Sequence, residues 1–369
     1  MASTYRLIFD GTAAPADFYA DLALLEVEEN ADLPGAVQLT LPVSRSAQGD
    51  LTQVSEGRFR PLARVAVVAR AADQADECIF DGYILAHKLH LQTGITASTL
   101  TVWGQDSSWL MNLTEKTREW VDVTDSAVAN TLFGEYGISA SPDNTQEDSP
   151  THTEDTQTLM QRDSDIQFLR QLARRNGKLC RVVCRDQPGQ YIGYFSSPAL
   201  DGDPVATLTL NDPAAWTVAA LDFEWDVARP SAVQASQLVF SDTDPVQADL
   251  AESGFSLLDE RSLTDFAGKP MTVRLTTAVG DAGELRLRAQ SLLREASWFV
   301  RCTGEAEVGR LNIVLRVGTV VLVAGVGALN SGKYYVWSVR HRITSEAHQM
   351  KFVLVRNAVG PEPTRGGLL

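Results

Sequence analysis

Most of this sequence alternates apolar and polar residues with a period of two. Residues 221–227 and 335–343 alternate almost without interruption. Because successive side chains of a strand point to opposite faces, the pattern predicts strands with one buried and one solvated face. Further strands are predicted at residues 5–10, 36–43, 64–70, 98–103, 206–210, 271–276, 312–323 and 349–356. So many short strands indicate a mainly β chain built as barrels or sandwiches.

Three segments carry the spacing and end signals of amphipathic helices instead. The first begins with Thr124 as its N-cap, the second with the capping-box pattern Ser164-Asp-Ile-Gln167, and the third covers residues 281–296. We expect all three helices to pack against sheets. The first two lie between residues 110 and 180 and interrupt the β pattern, which indicates an inserted α/β domain.

The composition excludes several classes of protein. The chain has 369 residues, of which 44% are hydrophobic, and its formal charge is 32 − 47 = −15. A chain of this length and apolar content forms two or three globular domains rather than a disordered segment. Binding to nucleic acid requires clustered Lys and Arg, so the acidic excess predicts no sequence-specific nucleic-acid partner.

No segment resembles a secretion signal or a membrane anchor. The start, Met1-Ala-Ser-Thr-Tyr-Arg-Leu-Ile-Phe-Asp10, lacks a basic flank and a long apolar run. No later stretch approaches the roughly 18 apolar residues that span a bilayer. We expect a protein that is made in the cytoplasm and does not insert directly into membranes.

The four cysteines, Cys78, Cys180, Cys184 and Cys302, are too few for a disulfide scaffold in a chain of this length. Cys180 and Cys184 lie four residues apart in an alternating segment, so they share one face of a strand. We expect packed free thiols. A metal pair would need further ligands nearby, which the sequence does not offer.

One motif resembles a phosphate-binding loop. Residues 327–334 fit the pattern G-x-x-x-x-G-K, but Tyr334 stands where magnesium would need Ser or Thr. A phosphate-binding loop must also open a helix, whereas the following Tyr-Tyr-Val-Trp-Ser-Val-Arg-His predicts a strand. We interpret the segment as a Gly-rich hairpin turn.

The histidines do not form a recognisable catalytic or metal site. They are His87, His90, His152, His341 and His348. His87 and His90 have opposite parity on a strand, and the loop cluster 152–155 lacks the helical spacing of a zinc protease. No G-x-S-x-G elbow occurs, and paired carboxylates are too common in this acidic chain to be specific. We therefore predict no catalytic residues, no metal and no cofactor, and a protein that is not an enzyme.

Two hairpins echo one another. Gly82 and Gly332 each precede a strand, a polar turn and a second strand, with His87 and His341 in the respective first strands. A duplication would explain the echo, but such hairpins also recur by chance in β proteins. The residues alone leave both explanations open.

The order and spacing of several motifs resemble the phage late control D family and the hub part of VgrG proteins of type VI secretion. The most specific motif is the helix-bearing segment 156–177, with its acidic residues, aromatic-Leu pair, Leu-Ala pair and final Gly177. The other motifs are residues 80–84, 104–110, 120–129, 135–138, 316–322, 332–336 and 339–341. The resemblance covers nearly the whole chain, from about residue 4 to 357.

This resemblance implies a homotrimeric baseplate hub with two related β-barrels per subunit, so that three subunits present a pseudo-sixfold ring to a hexameric inner tube. The implied domains are a first barrel at 1–108, completed by 200–232, a peripheral inserted α/β domain at 109–199, and a second barrel at 233–369 with a flexible C-terminal tail. The hub would be assembled in the cytoplasm as part of a tail or injection particle and become extracellular after release.

The resemblance also implies partners. They are the inner tube protein, other baseplate subunits, and a tape measure or cargo as further candidates. VgrG chains continue into a spike, whereas this sequence ends soon after its last strand, so we expect the spike to be a separate protein. A trimer would carry 3 × −15 = −45, and we expect part of this charge to line the channel and repel acidic cargo or DNA.

Two other functions remain open at this level. A β-rich adhesin or binding module is one, and a tail-associated cell-wall hydrolase is the other. Within the hub interpretation, phage tail, tailocin and extracellular injection system are not separated, although residues 25–35 incline towards the injection systems.

Overall fold

A computed structural model describes residues 4–54, 57–93, 98–147, 149–154, 158–237, 246–277, 279 and 282–362. The N-terminal strands are β1 (Thr4–Phe9), β2 (Thr12–Ala13), β3 (Leu24–Asn30), β4 (Ala36–Pro42), β5 (Arg64–Arg70), β6 (Glu77–His90) and β7 (Thr99–Asp106). The middle strands are β8 (Glu115–Trp120), β9 (Ser139–Ala140), β10 (Leu159–Ser164), β11 (Leu179–Cys184) and β12 (Tyr191–Ser196).

The C-terminal strands are β13 (Thr207–Thr209), β14 (Val218–Trp225), β15 (Ala232–Gln237), β16 (Val246–Leu250), β17 (Thr272–Leu275), β18 (Val300–Glu307), β19 (Val320–Ala324), β20 (Gly332–Ile343) and β21 (His348–Arg356). The α-helices are α1 (Ala16–Asp21), α2 (Asp125–Glu135), α3 (Asp165–Arg175), α4 (Leu263–Ala267), α5 (Ala282–Ala296) and α6 (Val308–Leu311). Two short 3₁₀ helices are Ser107–Asn112 and Pro142–Thr145. The fold is mainly β, as the alternating pattern predicts.

One large sheet of thirteen strands organises the described residues. Its path is β14-β18-β21-β20-β3-β4-β7-β6-β5-β1-β2, with β19 beside β20 and β13 beside β19. The sheet has two halves that meet where β3 pairs with β20. Apolar side chains from both halves form one continuous core, which includes Leu25, Leu39, Val102, Val339 and Phe352.

The two halves repeat the same strand order. The first half runs β1-β5-β6-β7-β4-β3 and the second runs β13-β19-β20-β21-β18-β14. The two-residue β2, which pairs with β1, is left out of this comparison. When the six strands of each half are numbered by position along the chain, both orders are 1-4-5-6-3-2. The fifth strand of each half also carries a register shift, between Ile84 and Ala86 in β6 and between Val336 and Ser338 in β20. The pair β13–β19 is parallel, whereas β1–β5 is antiparallel.

Two details of this sheet differ from the expected barrels. Within the described ranges, no recorded strand pairing closes either half into a barrel. In addition, the sequence analysis assigned residues 200–232 to the first half, but β13 and β14 pair with β19 and β18 of the second half. These pairings join strands 75 or more residues apart, and a period-two pattern carries no information about such partners.

The segment between the halves has a separate apolar core. The sheets β8–β10 and β11–β12–β9 pack with α2 and α3 around Met111, Phe133, Leu169 and Phe195. Thr124 caps α2, because its hydroxyl oxygen accepts a hydrogen bond of 3.3 Å from the amide of Ala127. The helices and strands of the predicted insertion are therefore present.

A second small unit interrupts the C-terminal half. The sheet β16–β15–β17 packs against α5, with Val233, Leu285 and Ala289 in a core of its own. The unit lies between β14 and β18, where the first half has only the short connection between β3 and β4. Asp281, the predicted start of the third helix, lies outside the described residues, as does the predicted C-terminal tail from residue 363.

Two local predictions are corrected by the structure. Residues 312–319 are not strand: α6 ends at Leu311, its C-cap Asn312 has a positive φ of 55°, and a turn with Gly318 at φ 88° precedes β19. Ser164 precedes α3 but does not cap it, and its hydroxyl instead donates to Asn112 Oδ1 at 2.6 Å. The helix itself begins and ends as predicted.

None of the helices in the described part of the chain has the length and apolar character needed to cross a membrane.

Candidate assembly site

The two halves of the large sheet are joined by a charged ladder on its surface. Strand β3 lies antiparallel to β20, with Glu28 opposite Arg340 and Glu26 opposite Arg342. Arg340 Nη2 is 2.6 Å from Glu28 Oε2, and Arg342 Nε is 3.8 Å from Glu26 Oε1. Opposite charges facing one another across strands stabilise a pairing and disfavour a shifted register. The ladder therefore fixes how the halves align.

Beneath this ladder lies a buried charge cluster, which ties the halves together from inside. The guanidinium of Arg316 forms two hydrogen bonds of 2.8 and 2.9 Å with the carboxylate of Glu29 on β3, and one of 2.8 Å with Glu77 on β6. Burial alone would raise the pKa of Glu29, but Arg316 and His341 lower it to about 2. Glu29 is therefore an anion held by a cation from the other half of the sheet.

Two histidines complete this cluster. His341 Nδ1 is 3.1 Å from His348 Nε2, and both side chains are almost fully buried. Burial, together with the neighbouring His341, lowers the pKa of His348 to about 3. The sequence pattern did not indicate that these two histidines form a pair. The signal that could have revealed it is the hairpin itself, because its register places Ile343 opposite His348 and brings His341 diagonally next to it.

Two of the strand edges that lack a partner strand in the described part of the sheet lie next to large exposed apolar side chains. One is the outer edge of β14, which pairs only with β18. The other is the end of β6, residues 86–90, which pairs with β7 on one side only. Large apolar side chains are exposed next to both edges, with Trp225 exposed by 56% and Leu91 by 52%. Unpaired edges of this kind are sites where another chain adds strands.

The outer face of the second half presents aromatic and charged side chains. The guanidinium of Arg310 stacks 3.6 Å from the ring centre of Trp216. Glu28, Arg340 and Lys351 line the same open depression of about 790 Å³. Mixed aromatic and charged surfaces of this type are common in protein interfaces.

The inserted domain is fixed to the first half by a covalent and a polar contact. Cys78 of β6 and Cys184 of β11 form a disulfide with a Cα–Cα distance of 5.8 Å. Beside it, the Arg64 guanidinium binds the buried carboxylate of Asp81 at 2.5 Å and the Tyr191 hydroxyl at 2.9 Å. The expectation of free thiols is thus wrong for Cys78 and Cys184, because the two strands that carry them meet only in the tertiary fold. Cys180 and Cys302 are free and buried as expected.

Inside the inserted domain, His152 belongs to a polar network. His152 Nε2 lies 2.9 Å from Asp125 Oδ1, and Arg175 Nε donates to Asp125 Oδ2 at 2.8 Å. Burial alone would raise the pKa of Asp125, but His152 and Arg175 lower it to about 2. Asn176 Nδ2 donates to the same carboxylate. The network therefore joins the N-terminal end of α2 to the C-terminal end of α3. These contacts hold the elements of the inserted domain together.

The remaining candidate residues are placed as follows. Residues 325–331 connect β19 to β20 as a turn, in which the Ser331 amide donates to the Gly327 carbonyl at 2.9 Å, and residues 332–334 begin β20. The predicted hairpin is confirmed. His87 and His90 lie on the exposed end of β6. Among the described residues, one group of possible metal ligands has its atoms close together: Cys78, Asp81 and Cys184. The two cysteines form a disulfide and Asp81 binds Arg64, so these groups are already engaged with one another and with Arg64.

Comparison of the sequence with family models finds a match over residues 2–345 to the Alg8 N-terminal domain. The chain belongs to the Alg8 N-terminal domain family. This match spans the first half of the sheet, the inserted domain and the second half as far as β20. The matched family is not the late control D family, which the motifs resemble. No curated protein matches the sequence.

Solved structures share the fold over almost the whole chain. A 43 kDa tail protein of prophage MuSo2 from Shewanella oneidensis matches with a TM-score of 0.69 and 13% identity, covering 97% of this chain and 100% of that protein. A tail protein from Neisseria meningitidis matches with a TM-score of 0.65 and 13% identity, covering 98% of each chain.

The E. coli c3393 protein, described as a type VI secretion component similar to the T4 tail proteins gp27 and gp5, matches with a TM-score of 0.55 and 12% identity, covering 97% of this chain and 79% of that protein. The fold of this chain is therefore that of phage tail and type VI secretion proteins.

Proposed function

We propose that this chain is the baseplate hub of a contractile tail or contractile injection system and acts as a homotrimer. The observation that carries the proposal is the repeated strand order of the two halves of the sheet. A subunit with two equivalent halves presents six equivalent units when three copies assemble, which matches the symmetry of a hexameric tube. The fold shared with tail proteins supports the same role.

In this role each half of the sheet is one β unit of the pseudo-sixfold ring. The first comprises β1 to β7, and the second comprises β13, β14 and β18 to β21, with the domain at 109–199 at the periphery. This division revises the boundaries derived from the sequence, and the strand pairings support it. The unit formed by β15 to β17 and α5 is a further peripheral addition.

The work of the hub is mechanical rather than catalytic. Backbone hydrogen bonds across a continuous sheet resist force together. The Arg316 cluster also joins the two halves, through a largely buried ion pair with Glu29, which salt screens less than an exposed pair, and a more exposed one with Glu77. A ring built in this way transmits the force of contraction from tube to spike without unfolding.

The proposed partners are the inner tube protein, a separate trimeric spike, other baseplate subunits, and a tape measure or cargo. Assembly takes place in the cytoplasm, and the protein leaves the cell with the released particle. Part of the trimer's charge of −45 lines the channel, where it disfavours adhesion of acidic cargo.

Native mass spectrometry tests the homotrimer, with an expected mass of three chains. Co-expression with the candidate tube and spike proteins of the same gene cluster then tests the adaptor role, and we expect one complex that contains all three. A monomer at micromolar concentration would overturn the trimer. A hub that forms a puncturing tip without any spike protein would overturn the separate spike.

A turbidity assay on isolated cell walls tests the non-enzymatic role. We expect no clearing above that of a buffer control. Clearing that persists in the purified chain would favour a tail-associated hydrolase instead.

A further inference from the structure

We propose that the free edge of β14 pairs, in antiparallel orientation, with residues 86–91 at the end of β6 in a second copy of this chain. The inference rests on the proposed homotrimer and names the strands that build its subunit interface. It follows from the repeated strand order, because one contact that the first half makes is missing from the second.

The missing contact is that of the second strand of each half. In the first half this strand is β3, which pairs with β4 on one side and with β20, the fifth strand of the other half, on the other side. In the second half it is β14, which pairs with β18 on one side only among the described strands. By the same rule, β14 of the second half should pair with the fifth strand of a first half. That strand is β6, in a second copy of the chain.

The register shifts of the two fifth strands define which residues correspond. Leu85 lies at the shift in β6, and Trp337 lies at the shift in β20. Aligning them makes Lys88 equivalent to Arg340 and His90 equivalent to Arg342. His87 and Leu91 are exposed and Leu89 is half-buried, whereas their equivalents in β20, residues 339, 343 and 341, are all buried. The end of β6 thus has the exposure of a strand whose neighbour is absent.

The recorded pairings carry the alignment across the sheet to β14. In this alignment β7 corresponds to β21, β4 to β18, and β3 to β14. Following the paired residues from strand to strand makes Glu224 of β14 equivalent to Glu28 of β3, and Asp222 equivalent to Glu26. The burial of β4 and β18 agrees with this alignment: Val37 and Leu41 are buried, as are the corresponding Cys302 and Ala306.

The resulting register places complementary side chains opposite one another. Within the chain, Arg340 faces Glu28 and Arg342 faces Glu26. Between two copies, the same register places Lys88 opposite Glu224 and His90 opposite Asp222. The alignment used only strand pairings and register shifts, so the matching charges are an independent observation. They repeat the ladder that holds the two halves together.

Apolar side chains alternate with these charged pairs. The register places Leu89 opposite Phe223, Leu91 opposite Leu221, and His87 opposite Trp225. Leu91 and Trp225 are more than half exposed in the single chain, and pairing would remove part of this apolar surface from water. Alternating apolar and charged pairs specify one register, because a shift of one residue would place charges against apolar side chains.

The contact joins two different edges of the subunit, so it is heterologous. Each copy offers β14 to one neighbour and β6 to the other, and such contacts form a closed ring when the rotation closes. In that ring the second strand of each half, β3 or β14, contacts the fifth strand of the next half, β20 or β6. Contacts within and between chains then alternate around the ring.

Charge reversal tests the register. Lys88→Glu or Glu224→Lys alone places like charges opposite one another, and we expect association to weaken about tenfold per interface. The double variant restores an opposite pair and returns the trimer. Glu119→Lys is the matched control, because Glu119 is exposed and lies on β8, in the separate β8–β10 sheet of the inserted domain. Association is measured by sedimentation over a concentration series.

Cysteine cross-linking tests the same contact directly. The variant carrying Lys88→Cys and Glu224→Cys is expected to form covalent dimers and trimers on oxidation. Lys88→Cys combined with Trp225→Cys is the control, because its cysteines project to opposite faces and stay unlinked. A wild-type trimer that shows neither the charge effect nor the cross-link would overturn this interface and leave the trimer standing. A monomeric wild-type chain would overturn both.

Discussion

The buried pair His341 and His348 makes the sheet sensitive to acid. Burial and the neighbouring His341 lower the pKa of His348 from 6.5 to about 3. Between these two values the unfolded chain binds a proton that the folded chain excludes. Stability is therefore greatest above pH 6.5 and is lost progressively as the pH falls towards 3.

The size of the effect follows from the two pKa values. At about pH 7.5 the difference in proton binding contributes almost nothing. At about pH 5 the unfolded histidine is almost fully protonated and the folded one is neutral, which corresponds to about 2 kcal/mol of lost stability. Glu29, whose pKa is lowered to about 2, contributes in the same direction but only below its ordinary value of 4.5. The window from pH 7.5 to 5 thus separates His348 from Glu29.

The assay is urea unfolding followed by tryptophan fluorescence at a series of pH values. Wild type is compared with His348→Gln, which cannot titrate, so contributions common to both proteins cancel. We expect the stability of wild type to fall by about 2 kcal/mol more than that of the variant. Met350→Leu is the control, because Met350 lies opposite His341 in the sheet and does not titrate. Equal pH slopes for wild type and His348→Gln would refute the reasoning.

Three further predictions concern the contacts between and within domains. Arg316→Met leaves Glu29 buried without its cation and should destabilise the chain by roughly 3–5 kcal/mol in urea unfolding, with Arg316→Met/Glu29→Gln recovering most of the loss. Reduction of Cys78–Cys184, which spans 106 residues, should lower stability by roughly 4–5 kcal/mol, and an unchanged urea midpoint would contradict this. Ser164→Ala and Asn112→Ala should each lower stability by about 1 kcal/mol, and the double variant should lose little more than either one, whereas an additive loss would contradict the shared hydrogen bond.

Local features of the fold could be predicted from the sequence because they depend on neighbouring residues. The predicted strand 64–70 coincides with β5, and the predicted helix at Thr124 begins there because a hydroxyl reaches an amide three residues ahead. The prediction of a strand over 312–319 was wrong for a related reason. Buried apolar residues such as Val314 and Leu315 produce a strand-like run, although the chain turns at Gly318.

Contacts between distant residues could not be predicted in this way. The disulfide joins Cys78 to Cys184, 106 residues away, and the ion pair joins Arg316 to Glu29, 287 residues away. The spacing of apolar and polar residues along the chain does not indicate contacts at such separations. Ser164 shows the same limit, since its hydroxyl had a local partner available and bonds instead to Asn112, 52 residues away. Tertiary contacts here override a local preference that the sequence expresses clearly.

The hairpin echo lies between these two cases. From the residues alone, Gly82 and Gly332 could mark a duplication or a coincidence. The strand order separates the explanations, because six strands arranged as 1-4-5-6-3-2 twice in one sheet are a far more specific signal than two similar hairpins. The same repeat also makes the acidic residues of β14 informative. Asp222 and Glu224 occupy the positions of Glu26 and Glu28, whose partners are arginines of β20, and a strand that retains half of a charge ladder at an open edge is arranged to meet the other half.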